Sequence, residues 1–214
     1  MPIRILIADD HAMVRQGLKM ILEAQSDMVV VGEAGEGREA LVQAKALKPD
    51  VIIMDIAMPE LNGIEATRMI CDCLPTVRVI ILTMHQTNEH VYRAMQAGAR
   101  AYLLKESAGF TIIDAVRAVM RGRLYFGEGI EAPNKLKSGS HIPSQSPLDS
   151  LSRRERETLQ LVAEGTSNAA IAEILHISPK SVETYRSRLM LKLGVSTVPD
   201  LVKFAIQHGI ISLQ

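Results

Sequence analysis

"VIIMDIAMPE", residues 51–60, is an apolar run broken by a single carboxylate, Asp55. An ionised carboxylate in apolar surroundings is costly to desolvate, so the acid lies at the strand's exposed end or finds partners elsewhere in the chain. The sequence on either side repeats the pattern. Short aliphatic runs at 3–8, 28–34, 50–54, 77–83 and 101–105 alternate with helical patterns at 12–25, 37–47, 63–74, 88–97 and 108–121. Strand-then-helix alternation predicts a parallel sheet covered by helices, and near-continuous aliphatic strands fit burial on both faces. The expected fold is α/β, a doubly wound five-stranded parallel sheet.

The residues that end these runs are polar. The first stops at Asp9 and Asp10, the third at Asp55, the fourth at Thr83 and the fifth at Lys105. In an open parallel sheet, ligands bind outside the carboxyl ends of the strands. Three carboxylates gathered there repel by roughly 3 kcal/mol per pair at about 5 Å and an effective dielectric near ~20. Lys105 supplies one compensating charge, and an oxygen-rich acidic cluster suits Mg²⁺. A carboxylate beside a divalent ion and a lysine can attack phosphorus and become an aspartyl phosphate. Taken singly, each residue has a plainer reading: the Asp pair as a helix cap, Thr83 as a turn residue, Lys105 as a solvated strand end. Their convergence on one rim favours a site. His11, His85 and His90 are expected as surface or cap residues, not metal ligands.

At 214 residues the chain is long for one domain. In "GEGIEAPNKLKSGSHIPSQSPL", residues 127–148, 11 of the 22 residues are Gly, Pro, Ser or Asn, which reads as a linker. Beyond it no strand signal remains, and helices are expected at 152–163, 168–175, 179–193 and 198–208, a small all-α module. The domains are thus 1–126, a linker at 127–147, and 148–214. Net charge is zero, with 14 basic and 17 acidic residues in 1–132 against 8 and 7 in 148–214. Charge alone therefore does not announce a nucleic-acid partner. Cys71 and Cys73, two apart on a helix, face different sides and form neither a disulfide nor a shared metal site. No apolar stretch reaches the roughly 18 residues of a membrane span, and the apolar N-terminal segment is too short for a secretory signal, so a cytoplasmic protein is expected.

In the helical module, "ISPKSVETYRSRLMLKLG", residues 177–194, opens with Ser178 as N-cap and Pro179 at the first helical position. Val182, Tyr185, Leu189 and Leu193 form an apolar stripe, with Lys180, Thr184, Ser187 and Arg188 opposite. Such a helix fits a DNA major groove, and equally an ordinary amphipathic surface helix.

With "IADDH" (7–11), "MDIAMPELNG" (54–63), "LT" (82–83) and "AYLLK" (101–105), residues 3–122 resemble the receiver domain of two-component response regulators. The resemblance implies a flavodoxin-like fold in which Asp55 accepts a phosphoryl group from a sensor histidine kinase. It also implies that Asp9, Asp10 and Asp55, with the Ala57 carbonyl, hold Mg²⁺. Lys105 would pair with phosphoryl oxygens, Thr83 would bond one of them, and Tyr102 matches the family's rotating aromatic switch. Pro59 and Gly63 match the loop that shapes the site. On that pattern, Thr83 and Lys105 are drawn toward the phosphoryl group and Tyr102 swings into the space vacated, changing the surface around 84–107.

Residues 151–195, continued by "LVKFAIQHGII" (201–211), resemble the LuxR-type helix-turn-helix of NarL/FixJ-class regulators. That implies a positioning helix at 168–175 and a recognition helix at 179–193. Glu183, Thr184 and Ser187 then face bases of double-stranded DNA, while Lys180, Arg186, Arg188 and Lys192 contact phosphates. The last helix would join two chains as a homodimer, with RNA polymerase a further candidate partner. Ala169 and Ala170 stand where the family commonly has Lys-Glu, Tyr185 where it has His, and Val198 where it often has Arg. Two phosphate-reaching charges are missing, which lowers the expected affinity and flattens its salt dependence.

The expected function is therefore a DNA-binding transcription regulator switched by phosphorylation of Asp55, not an enzyme. An aspartate-nucleophile phosphohydrolase is disfavoured because such enzymes carry a second acid two residues on, where Ala57 stands. A phosphate-accepting module whose helical domain binds protein is the remaining alternative.

Overall fold

The structure is a computed structural model, described for residues 1–132 and 146–211. The chain divides into two units, Met1–Gly139 and Ser140–Gln214. Residues 133–145, the middle of the segment read as linker, lie outside the described residues.

The first unit runs β1 (Ile3–Ala8), α1 (Ala12–Glu23), β2 (Met28–Ala34), α2 (Gly37–Leu47), β3 (Val51–Met54), α3 (Gly63–Cys73), β4 (Arg78–Thr83), α4 (Asn88–Gln96), β5 (Ala101–Leu104), α5 (Ala108–Met120) and β6 (Tyr125–Phe126). The strands pair in parallel in the order β2-β1-β3-β4-β5-β6. Among the described residues the sheet thus has six strands and not the expected five. β6 is a two-residue strand pairing Tyr125 with Ala101 and Phe126 with Tyr102, too short to carry a periodic signal. The residues after it are packed as well: the Gly127 N–H donates to the Tyr102 carbonyl at 2.9 Å, and Ile130 joins the core.

Alternation along each strand separates two cores. Leu6, Ile52, Met54 and Ile81 face one side with Ala40, Ala44, Ile64, Ile70, Val91 and Ala94 of α2, α3 and α4. Ile5, Ile7, Ile53 and Ile80 face the other with Leu18, Leu22, Ile112, Val116 and Val119 of α1 and α5. The chain leaves β1 for the edge strand β2 and returns to β3 on β1's other side, so the carboxyl ends of β1 and β3 border the crevice where direction reverses.

The second unit opens with a short 3-10 turn at Pro147–Ser150, followed by α6 (Arg153–Ala163), α7 (Asn168–Leu175), α8 (Pro179–Leu193) and α9 (Val198–Gln207). Serine and threonine start each helix. Ser152 forms a capping box with Glu155, while Ser167, Ser178 and Thr197 accept the first free N–H groups of α7, α8 and α9. Gly194, in the left-handed region at φ 68, ends α8. Leu159, Ile171, Leu175, Val182, Leu189, Leu201 and Ala205 meet in the core. Among the described residues, no helix is long and apolar enough to cross a membrane.

Candidate functional site

Strand register assembles the rim. Ala8 pairs with Met54, so the next residues, Asp9 and Asp55, leave the sheet side by side. Thr83 pairs with Leu104, which puts Lys105 one position beyond. Both Asp9 and Asp55 are buried, each 2% exposed. The Lys105 ammonium bridges them, 2.7 Å from Asp9 Oδ2 and 2.8 Å from Asp55 Oδ2. The other oxygens take backbone N–H groups: Asp9 Oδ1 from His11 at 2.9 Å, Asp55 Oδ1 from Ile56 at 2.7 Å. Burial alone would lower the Lys105 pKa, but the Asp55 charge and the hydrogen bonds to Asp55 and Asp9 win, and it is raised. The ammonium is thereby held charged.

The Asp pair is not a helix cap. His11 is the N-cap residue of α1, and its side chain makes no capping hydrogen bond. Asp9, Asp10, His11 and Asp55 can each offer a ligand atom, all within 4.8 Å of one another. Three carboxylates face one lysine, and Asp10 Oδ1 is buried without a hydrogen bond, its neighbour being His11 Nδ1 at 2.5 Å. A buried excess of negative charge on hard oxygen atoms fits Mg²⁺. His11 is the exposed N-cap residue that the sequence reading expected, and its ring also adjoins the candidate metal centre.

Thr83 is fully buried and Tyr102 points inward, also fully buried. Both meet the backbone of His85. Its N–H donates to Thr83 Oγ1 at 3.3 Å, and its carbonyl accepts the Tyr102 hydroxyl at 2.7 Å. Burial, reinforced by the Asp55 charge, raises the Tyr102 pKa far above its ordinary value and keeps the phenol a donor. The His85 ring stacks on His90 of α4, with centroids 4.7 Å apart and an interplanar angle of 13°. Burial lowers the His85 pKa, opposed by Asp55 and assisted by Lys105. His90 is buried, not a surface residue; its Nδ1 lies 2.5 Å from Oγ1 of Thr87, the N-cap of α4. The junction at His85 was invisible in the sequence because backbone groups make it. Arg15 was missed for a similar reason: its Nη1 donates to the Asp9 carbonyl at 2.7 Å.

On α8, Val182 and Leu189 are buried, while Lys180, Glu183, Thr184, Ser187 and Arg188 are exposed along the opposite side. Arg186 is half-buried. Lys192 has a different engagement: its ammonium donates to Glu155 Oε2 at 2.7 Å and to the Ser150 carbonyl at 3.1 Å. It ties α8 to α6, a role that the count of basic residues did not distinguish from phosphate contact. Burial raises the Glu155 pKa, but the Lys192 and Ser152 bonds outweigh it and the net shift is downward.

Residues 5–117 match the family described as response regulator receiver domain, and residues 149–205 match the bacterial regulatory proteins of the luxR family. The response regulator protein VraR of Staphylococcus aureus is 40% identical over 213 residues, covering 99% of this chain and 100% of its own. A structure of the RcsB response regulator of Salmonella typhimurium is 26% identical with a TM-score of 0.65, covering 99% of each chain. A second RcsB structure, of two dimers bound to two parallel DNAs, is 26% identical with a TM-score of 0.59 and covers 95% of this chain and 98% of its own.

Proposed function

Because the chain belongs to the response regulators, joining a receiver domain to a LuxR-family regulatory domain, we propose that it is a phosphorylation-switched transcription regulator with Asp55 as the acceptor. The observation that carries this reading is the Lys105 ammonium held between the buried carboxylates of Asp9 and Asp55. An Asp55 oxygen attacks the phosphorus of a phosphohistidine on a sensor kinase. The new P–O bond forms as the P–N bond breaks, and the imidazole departs with the electron pair. Lys105 receives the charge arriving on the phosphoryl oxygens. Asp9, Asp10 and Asp55 would hold Mg²⁺, which would supply positive charge to neutralise the phosphoryl oxygens. Thr83 offers its hydroxyl hydrogen to the transferred group, and movement of the side chain toward that group strains the bond that its oxygen accepts from the His85 N–H. Tyr102 then reports the change through the His85 carbonyl.

Ala57, where a second acid would assist hydrolysis, favours holding the phosphoryl group as a signal over turning it over as a substrate. The protein therefore acts as a switch in the cytoplasm, not as an enzyme. Its output is sequence-specific binding of double-stranded DNA by a homodimer. Glu183, Thr184 and Ser187 read bases, Lys180, Arg186 and Arg188 contact phosphates, and RNA polymerase is the candidate second partner. Lys192 contributes mainly by fixing α8.

Incubation with a phosphodonor and Mg²⁺ tests the first half: label must appear on the wild-type chain and vanish in Asp55→Asn. Gel shifts on random duplex pools, with and without phosphodonor, test the second. A labelled chain that shifts no duplex would leave a protein-binding module as the better reading.

A further inference from the structure

The loop between β3 and α3 closes on itself. The Ile56 carbonyl accepts the N–H groups of Met58 at 3.0 Å and of Gly63 at 2.9 Å, and the Pro59 carbonyl accepts that of Leu61 at 2.7 Å. Ile56, Met58 and Leu61 are anchored in the core. Between the last two, Glu60 is held in the left-handed region at φ 61, which a residue with a side chain seldom adopts.

Two glycines set the height of this loop. A Cβ on Gly63 would stand 1.8 Å from the Asp55 carbonyl oxygen, and a Cβ on Gly37 would stand 1.8 Å from the Leu61 carbonyl oxygen and 2.8 Å from its carbon. These are backbone atoms, which cannot rotate aside as a side-chain tip can. Gly37 opens α2 and has no positive φ, so alanine would suit its conformation and favour the helix. What glycine alone permits there is the approach of the loop. The next residue, Arg38, reaches the same loop from α2, its Nε 3.6 Å from Glu60 Oε2.

We propose that Gly37 is a positioning residue for the phosphoacceptor site, acting through the loop 56–63 on the Asp55 carboxylate and the Ala57 carbonyl. The proposal rests on the reading of Asp55 as phosphoacceptor with Mg²⁺. A methyl group at 37 pushes the Leu61 carbonyl outward. The displacement passes through the Gly63–Ile56 hydrogen bond to the seat of Gly63 on Asp55 and to Ala57, enclosed between the two bonded ends. The first turn of α2 contributes no side chain to the site, yet it fixes the geometry that the ion requires.

The test uses the full chain, with Mg²⁺ affinity measured by calorimetry and labelling measured with a small acyl phosphate. Gly98→Ala is the control: Gly98 has φ +108 and its Cβ would meet Cys71 Sγ at 2.8 Å, so alanine strains the fold at the far end of α3. Gly98→Ala is expected to lose stability and keep wild-type Mg²⁺ affinity. Gly37→Ala is expected to bind Mg²⁺ at least about tenfold more weakly, as when a contact that orients a metal ligand is lost, and to label slowly below saturating Mg²⁺. A folded Gly37→Ala chain with the Mg²⁺ affinity of Gly98→Ala overturns the proposal. Should Gly37→Ala not fold, Arg38→Ala decides: a loss of about threefold, in line with one partly exposed ion pair, supports the proposal, and unchanged affinity overturns it. A wild-type chain that takes no label, or binds Mg²⁺ no better than Asp55→Asn, removes the site reading itself and the proposal with it. That outcome differs from a labelled wild type whose Gly37→Ala variant matches it.

Discussion

The Lys105 ammonium stands 2.8 Å from Asp55 Oδ2, a partner fifty positions back in the chain. Both residues are nearly enclosed, with side chains 11% and 3% exposed, and the same ammonium is shared with Asp9 Oδ2 at 2.7 Å. Removing the lysine takes away the cation that would receive phosphoryl charge. Lys105→Ala is expected to slow labelling of Asp55 by about 10²-fold, the usual cost of one charge-stabilising donor. Lys105→Arg keeps the charge but not the compact ammonium shape and should restore only part of the rate. A rate equal to wild type in Lys105→Ala would remove the lysine from the chemistry.

Tyr102→Phe deletes the 2.7 Å bond to the His85 carbonyl and leaves that acceptor without the phenol. The expected destabilisation is about 1 kcal/mol, within the range for a buried acceptor that loses its partner. The loop between β4 and α4 should loosen with it. Faster amide hydrogen exchange over residues 84–87, with the two cores unchanged, is the signature to look for.

Burial acts to raise the Glu155 pKa, but the bonds from Lys192 and Ser152 hold the carboxyl below its usual range in the folded chain, so folding is favoured while it is ionised. Its contribution is fully present above the unfolded value and is lost as pH falls through the lower folded value. Glu155→Gln should therefore flatten the acid limb of the urea-midpoint profile of the second unit. Lys192→Met breaks the same pair from the other side. With Lys192 41% exposed, solvent screening limits its cost to about 1 kcal/mol.

Arg188 and Lys192 should behave differently on DNA. Arg188 is exposed on α8, and Arg188→Ala is expected to weaken binding across all sequences and lower the salt-dependence slope by about 0.9. Lys192→Met should leave that slope nearly unchanged, because its ammonium is already engaged by Glu155 and Ser150. Anisotropy titrations at several salt concentrations would separate the two.

Much of this was legible in advance, for identifiable reasons. The β1, β2 and α2 spans agree with the sequence pattern, and α7 and α8 agree as well, because aliphatic periodicity and Ser/Pro start signals are local properties. Asp9, Asp10, Asp55, Thr83 and Lys105 could be gathered from sequence because each follows or ends a strand. A parallel sheet brings all such ends to one edge. β6 escaped because two residues carry no period. Its pairing with β5 depends on where α5 returns the chain.

Sequence by itself determined which residue types stand at the rim, the alternation that makes a parallel sheet, and the caps that start the helices of the second unit. The tertiary structure decided which partner each of them takes. Lys192 became a tie to Glu155, His85 a junction for Thr83 and Tyr102, and Gly37 a seat for the Leu61 carbonyl. Hydrophobic period and capping are written in neighbouring residues. Backbone contacts and close approaches between segments depend on how separate elements pack, and no local pattern encodes that.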